Sequence, residues 1–257
     1  MPEVTWFYPD SVEEAFEIMQ DTSAVPHGGG TGLLMGGLNK PALIDLKGLN
    51  LRFVEEKGDF YKIGAMATYA DCAKNLPAGN VLAMALGKAA STPLRNRITV
   101  GGSIAMAPIW SDIVGPMVAL TAKVKLAGED AKFSLEDYLL DSELRRGSLI
   151  EYIEVPKIDG AAYYHRETRT AFDYPMFTLS MISNGDWSTA VITGIKGKFA
   201  RLESIEKAIM GVLGIDEAVQ NLELDFPSKM QASGEYLSKV AKTEIIRGLK
   251  EIERVIL

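Results

Sequence analysis

The chain has 257 residues, 47% of them apolar and 24% charged, enough for one large folded domain or two smaller ones. A formal net charge of −7, with no block of five or more basic residues, speaks against nucleic acid or an anionic membrane as a partner. A single cysteine, Cys72, cannot form an intrachain disulfide or ligate an iron–sulfur cluster, and two distant histidines, His27 and His165, argue against a metal site.

The opening "MPEVTWFYPDSVEEA" lacks a basic segment followed by an apolar one, so it is not a signal peptide. No apolar run approaches the ~18 residues that span a membrane, and a soluble cytoplasmic protein is expected. "TWFYP" reads as a short strand, and Ser11 with Glu14 forms an S-x-x-E capping box that opens a helix to about Gln20. "SAVP" then leads into a glycine run. "PALIDLKGL" and "FYKIGAMAT" read as strands, Thr68 with Asp71 caps the helix "YADCAKNL", and "VLAMALGKAA" is apolar enough for a buried helix. "STPLRNRITVGGSIAMAPIWSD" reads as irregular. Ser111 or Asp112 caps a helix that gives way to the alternating strand "AKVKLAG", and "SLIEYIEVP" is a further strand. After a linker at "KIDGAA" come strands in "AAYYHRET", "PMFTLSMIS" and "WSTAVITGIKG", then helices in "LESIEKAIMGVL" and "SGEYLSKVAKTEIIRGLKEIERVIL". This order predicts an α+β fold ending in an antiparallel sheet packed on helices, with domains at 1–157 and 158–257.

The stretch "VPHGGGTGLLMGGL" holds six glycines in fourteen residues. The spacing fits neither G-x-G-x-x-G, since Met35 stands five residues after Gly30, nor the P-loop, since Leu38 follows Gly37. Consecutive amides in a glycine turn still converge into a concave nest of partial positive charge, and without Cβ atoms a pyrophosphate can reach the backbone. "TVGG" at Thr99 to Gly102 offers the same chemistry about seventy residues later. Two such stretches can grip one dinucleotide, with Asp112 placed to accept from a ribose hydroxyl. Both can also be plain turns, and composition and spacing leave that choice open.

Four motifs in order, "PHGGGTGLLMGG", "PALIDLKGL", "YKIGAMATYAD" and "LRNRITVGGSIAMAPIWSD", resemble the flavoprotein (medium) subunit of molybdenum hydroxylases, the xanthine dehydrogenase and carbon monoxide dehydrogenase family. "HRETRTAFDYP" and the helical tail extend the likeness to nearly the whole chain. The resemblance implies a two-subdomain, PCMH-type FAD-binding domain followed by a C-terminal domain like that of the carbon monoxide dehydrogenase flavoprotein. It places Gly28, Gly29, Gly30, Thr31, Gly32 and Leu33 along the FAD pyrophosphate, and Thr99, Gly101, Gly102, Ser103 and Met106 on its other side. It puts Asp112 near the adenosine ribose, Leu149 or Ile150 near the flavin ring, and His165 beside the isoalloxazine. Relatives with covalent FAD carry histidine after the paired glycines; Thr31 stands there, which implies non-covalent FAD.

The implied function is electron transfer. A molybdopterin-binding large subunit oxidises substrate, a small subunit with [2Fe–2S] clusters relays electrons, and the flavin subunit passes them to an acceptor such as NAD or a quinone. The absence of a nucleophile–base pair agrees with this, because a flavin brings its own redox chemistry. The alternatives are a free-standing FAD-dependent oxidoreductase with its own substrate pocket, and a scaffold subunit that has lost its flavin. Blander roles stand beside the site readings. His27 suits packing or a backbone hydrogen bond, Asp112 a helix cap, His165 a satisfied strand position, Trp110 a partner anchor or plain packing, and Asp173 a turn. Arg95 and Arg97 suit hydrogen bonds to loop carbonyls, and Cys72 suits a small buried group.

Overall fold

The computed structural model describes residues 4–35, 40–228 and 232–256. The chain forms two compact units that do not follow one cut in the sequence. The first comprises residues 1–75, 91–106 and 121–157; the second comprises 76–90, 107–120 and 158–257. Beyond the expected boundary at 157/158, two earlier segments therefore belong to the second unit.

In the first unit, strands Thr5–Phe7, Ala42–Asp45 and Val25–His27 form a three-stranded parallel sheet with Ala42–Asp45 in the centre. Trp6 lies level with Leu43, and Pro26 with Ile44. Helix Val12–Asp21 starts where the Ser11 hydroxyl accepts the Glu14 amide at 3.1 Å. The reciprocal half of the capping box is shifted by one residue, with Glu14 Oε2 accepting the Asp10 amide at 2.7 Å. Ala15, Ile44, Leu46, Leu49, Leu51, Ala127 and Leu149 are buried together in one core. A second, antiparallel sheet runs in the order Val54–Lys57, Phe60–Gly64, Ile150–Pro156, Lys123–Leu126, Lys132–Ser134. Its alternation is of period two: Ile63, Ile153, Val155 and Val124 are fully buried, while Lys62, Tyr152 and Glu154 lie on the opposite face.

The sequence reading missed the edge strands Val54–Lys57 and Lys132–Ser134 and the helices Leu135–Leu140 and Ser142–Arg146. "VEEK" carries no apolar alternation. The helices had a readable signal, because Ser134 and Asp141 each accept amides of the following turn. The stretch expected to be irregular contains two short helices, Thr92–Arg95 and Val100–Met106.

In the second unit, strands Ala161–Glu167, Phe177–Ser183, Ser188–Ile195 and Lys198–Arg201 form an antiparallel meander, the last of them not expected from sequence. Phe177–Ser183 is buried at every position because both faces of the sheet are covered. Phe177, Leu179 and Met181 meet Leu237, Ala241 and Ile245 of the long helix Gly234–Ile256. On the other face, Thr178, Ser180 and Thr193 lie against Gly115 of helix Val114–Ala119. Helix Val81–Lys88 packs on strand Ala161–Glu167, with Lys88 Nζ donating to the Tyr164 carbonyl at 3.2 Å. Among the described residues, no helix is long and apolar enough to cross a membrane.

Candidate cofactor site

The Val25–His27 strand ends in Gly28–Gly30 and turns at once into the short helix Thr31–Met35. Two glycines are demanded by geometry. A Cβ on Gly29 would lie 1.6 Å from the Arg97 carbonyl oxygen, and Gly30 has φ +76° with the His27 ring 2.9 Å from where its Cβ would be. The turn is pinned from across the unit by the Arg97 guanidinium, whose Nε and Nη2 donate to the Gly29 carbonyl at 3.3 and 3.0 Å. That is the carbonyl-holding role expected of Arg97; Arg95 Nη2 donates to Thr92 Oγ1 at 3.0 Å. Residues 28–33 are all half-buried.

Among the described residues, no acceptor takes the backbone N–H of Gly29, Gly30, Thr31, Gly32 or Leu33. Five consecutive half-buried donors are thus left without an acceptor, on a turn whose glycines lie against Thr99, His27 and Met106. Such a cradle fits an anionic group with several acceptor oxygens. Gly36 and Gly37, which close the same motif, lie outside the described residues.

The second stretch abuts the first. The space a Cβ on Gly28 would take is 3.0 Å from Thr99 Oγ1, and that of Gly32 is 2.9 Å from Met106 Sδ. Its amides, however, do not form the expected second nest. Val100 and Gly101 donate to the carbonyls of Ala67 and Ala65, each at 2.9 Å. Gly102 donates to Thr99 Oγ1 at 3.3 Å and Ser103 to the Thr99 carbonyl at 3.1 Å. The Ser103 hydroxyl accepts from Tyr69 Oη at 3.0 Å. Gly101 is required by packing, since its Cβ would stand 2.6 Å from Ala65 Cβ. Below it, Thr68 and Asp71 cap helix Tyr69–Asn75 reciprocally, at 2.9 and 3.1 Å, and Thr68 bridges Thr99. Ile150 is buried at the start of its strand, and the neighbouring Glu151 carbonyl accepts the Ala65 amide at 2.9 Å.

Asp112 and His165 belong to the second unit. Asp112 does not cap the following helix; Ser111 does, accepting the Ile113 and Val114 amides at 3.4 and 3.3 Å. Asp112 Oδ1 takes Arg166 Nε at 2.6 Å, and Arg166 Nη2 donates to the Asp173 carbonyl at 2.6 Å. Burial pushes the Asp112 carboxyl above its ordinary range, against the opposing pull of Arg166. His165 has a carboxylate on each ring nitrogen, Glu167 at 2.9 Å and Glu244 at 3.1 Å. Asp173 is a turn residue that accepts its neighbour's amide, and Trp110 packs on Tyr174 with ring centroids 5.7 Å apart. No sequence signal announced Arg166 or Glu244, 54 and 79 positions from their partners. No group of three or more metal-ligating side chains occurs among the described residues.

A family model described as the FAD binding domain in molybdopterin dehydrogenase matches residues 2–158. The chain belongs to this family. FAD is thus its cofactor, and the glycine cradle is of the kind such a dinucleotide needs. Over its whole length the chain is also similar to the glyceraldehyde dehydrogenase medium chain of Sulfolobus acidocaldarius, 24% identical over 280 residues that cover 98% of this chain and 99% of that one. The fold matches a chain of carbon monoxide dehydrogenase from Hydrogenophaga pseudoflava with TM-score 0.85, 23% identity and 98% of each chain covered. It matches one of quinoline 2-oxidoreductase from Pseudomonas putida 86 with TM-score 0.86 and 20% identity, covering 100% and 99%. Membership in the molybdopterin dehydrogenase FAD-binding family makes the chain a flavoprotein of oxidoreductases.

Proposed function

We propose that this chain is the electron-transfer subunit of a multi-subunit molybdenum hydroxylase and holds FAD non-covalently. Electrons would come from the [2Fe–2S] clusters of a small subunit, freed by substrate oxidation on a molybdopterin-binding large subunit, and leave to an acceptor such as NAD or a quinone. The observation that carries the reading is the row of amides from Gly29 to Leu33 that have no partner among the described residues. Bound FAD supplies the redox chemistry; the protein supplies position and electrostatics. Gly28 to Leu33 hold the pyrophosphate through backbone donors, which need no titratable group. Thr99, Gly101, Gly102, Ser103 and Met106 wall the same cradle. The amides of Gly101, Gly102 and Ser103 are engaged within the protein, so the part of this stretch is shape and the Thr99 hydroxyl. Asp112 toward the ribose, and Ile150 and His165 toward the flavin, complete the proposal. Thr31 in place of a histidine supports a non-covalent link. The similarity to a protein named as a medium chain supports the two partner subunits. The proposed division at 157/158 separates the FAD-binding domain from a C-terminal flavoprotein domain, and the proposed compartment is the cytoplasm.

Denaturing precipitation of the purified chain is expected to leave yellow FAD in the supernatant; flavin retained in the pellet overturns the non-covalent link. Stopped-flow absorbance of the isolated holoprotein is expected to show bleaching by dithionite but none by purines, aldehydes or N-heterocycles. Rapid bleaching by such a substrate without partner chains overturns the subunit reading in favour of a free-standing flavoenzyme.

A further inference from the structure

We infer that His27 is a positioning residue for the diphosphate on the first glycine turn, donating to it from Nε2. The inference rests on the reading that FAD binds at that turn. His27 closes its strand one residue before Gly28. Its Nε2 stands 2.9 Å from where a Gly30 Cβ would be, so the ring lies against the one turn residue in the left-handed region. Trp6 meets the ring edge-on, with centroids 5.0 Å apart and planes at 77°, and this fixes the plane of the imidazole.

The two ring nitrogens have different surroundings. Nδ1 is buried and has no hydrogen-bond partner among the described residues. Nε2, also unbonded, is not closed off in this way and keeps access to solvent beside the turn. Asp45 stands level with His27 on the next strand but turns its Oδ1 to the Lys47 amide at 2.9 Å, so it takes no proton from the ring. A buried N–H without an acceptor is rarer and costlier than a buried lone pair without a donor. Nε2, not Nδ1, is therefore the nitrogen placed to donate. The result is a side-chain donor next to five backbone donors. A set of donors with no acceptor among them suits a ligand that presents several oxygens and no hydrogens, which describes a diphosphate ester.

Two measurements on the full chain test this. With only two histidines, ¹⁵N imidazole NMR of the apoprotein can be assigned with a His165→Gln variant. The Nε2–H tautomer is expected for His27, and the Nδ1–H tautomer overturns the inference. Titration with FAD and with ADP then compares wild type, His27→Gln and His27→Phe. The glutamine amide nitrogen reaches the place of Nε2, so His27→Gln is expected to bind both ligands within about threefold of wild type. His27→Phe keeps the ring but is expected to bind both about tenfold more weakly, the usual loss for one hydrogen bond to a charged group. Thermal melts show whether each variant stays folded. Wild-type affinity in His27→Phe, or equal losses in both variants, overturns the inference and leaves FAD binding standing. A wild-type chain that takes up neither ligand overturns the underlying reading instead.

Discussion

The turn at Gly28–Leu33 and the stretch at Thr99–Ser103 carry the same signature, glycines beside a threonine, and use it in opposite ways. In the first, the glycines let the backbone bend tightly against Arg97 and His27, and five amides have no partner among the described residues. In the second, the amides of Val100, Gly101, Gly102 and Ser103 are bonded within the protein, and Gly101 lets the chain lie against Ala65. A glycine-rich motif thus has two physical meanings, an opening for a ligand or a close approach of two backbones. Only the destination of each N–H tells them apart.

Substitutions separate the two meanings. The largest effect is expected for Gly101→Val, whose Cβ falls 2.6 Å from Ala65 Cβ and 2.8 Å from its carbonyl oxygen. With no flexible side chain to give way, unfolding in urea should show a loss of more than about 3 kcal/mol. An unchanged midpoint would mean that the second stretch is not a packing element. Next comes Gly30→Val, where φ +76° and the nearby imidazole both oppose a side chain. The strain is about 1–3 kcal/mol, and it sits where the proposed ligand binds. Flavin titration should show FAD affinity down by more than about tenfold while circular dichroism stays that of a folded protein. Wild-type affinity would reduce the first turn to a mere connection.

The smallest effect tests the support beneath the second stretch. Burial pushes the Asp71 carboxyl up, but the Arg52 guanidinium, at 2.8 and 3.0 Å, and the Thr68 amide and hydroxyl outweigh it and hold the group below its ordinary range. A lowered folded value means stability that is present above the ordinary carboxylate range and lost as pH falls through the lower value. Asp71→Asn should cost about 1 kcal/mol at neutral pH, as lost caps do, and should flatten that part of the acid-side decline. Urea midpoints taken from neutral to strongly acid pH check the sign. A variant with the full acid-side slope would remove Asp71 from the account.

Much of the site was readable before any coordinates, because its signals are local. The capping pairs Ser11–Glu14 and Thr68–Asp71 act within one turn of helix, and both hold in the fold. The first glycine turn was readable for the same reason. The second was read as a twin of the first because equal residues suggest equal chemistry, whereas its amides go to Ala65 and Ala67, more than thirty positions upstream. The short helix before it and the one that contains it were missed because glycine, proline and β-branched residues lower helix propensity, and packing overrode that preference.

By itself, the amino-acid sequence determined the first strand and helix, the main C-terminal strands and the long last helix, where the two glycine stretches lie, and a residue count with too few cysteines and histidines for iron–sulfur or zinc clusters. These follow from side-chain period, turn chemistry and residue counts, which act over a few positions. Tertiary structure alone decided that residues 76–90 and 107–120 join the C-terminal unit, where Gly115 faces Thr178 and Thr193. It alone decided that Asp112 pairs with Arg166, that Glu244 meets His165, and that the Nδ1 of His27 has no partner among the described residues. Each of these depends on segments distant in sequence meeting in a packed interior, where burial and the available partners, not local preference, set the energy of a polar group.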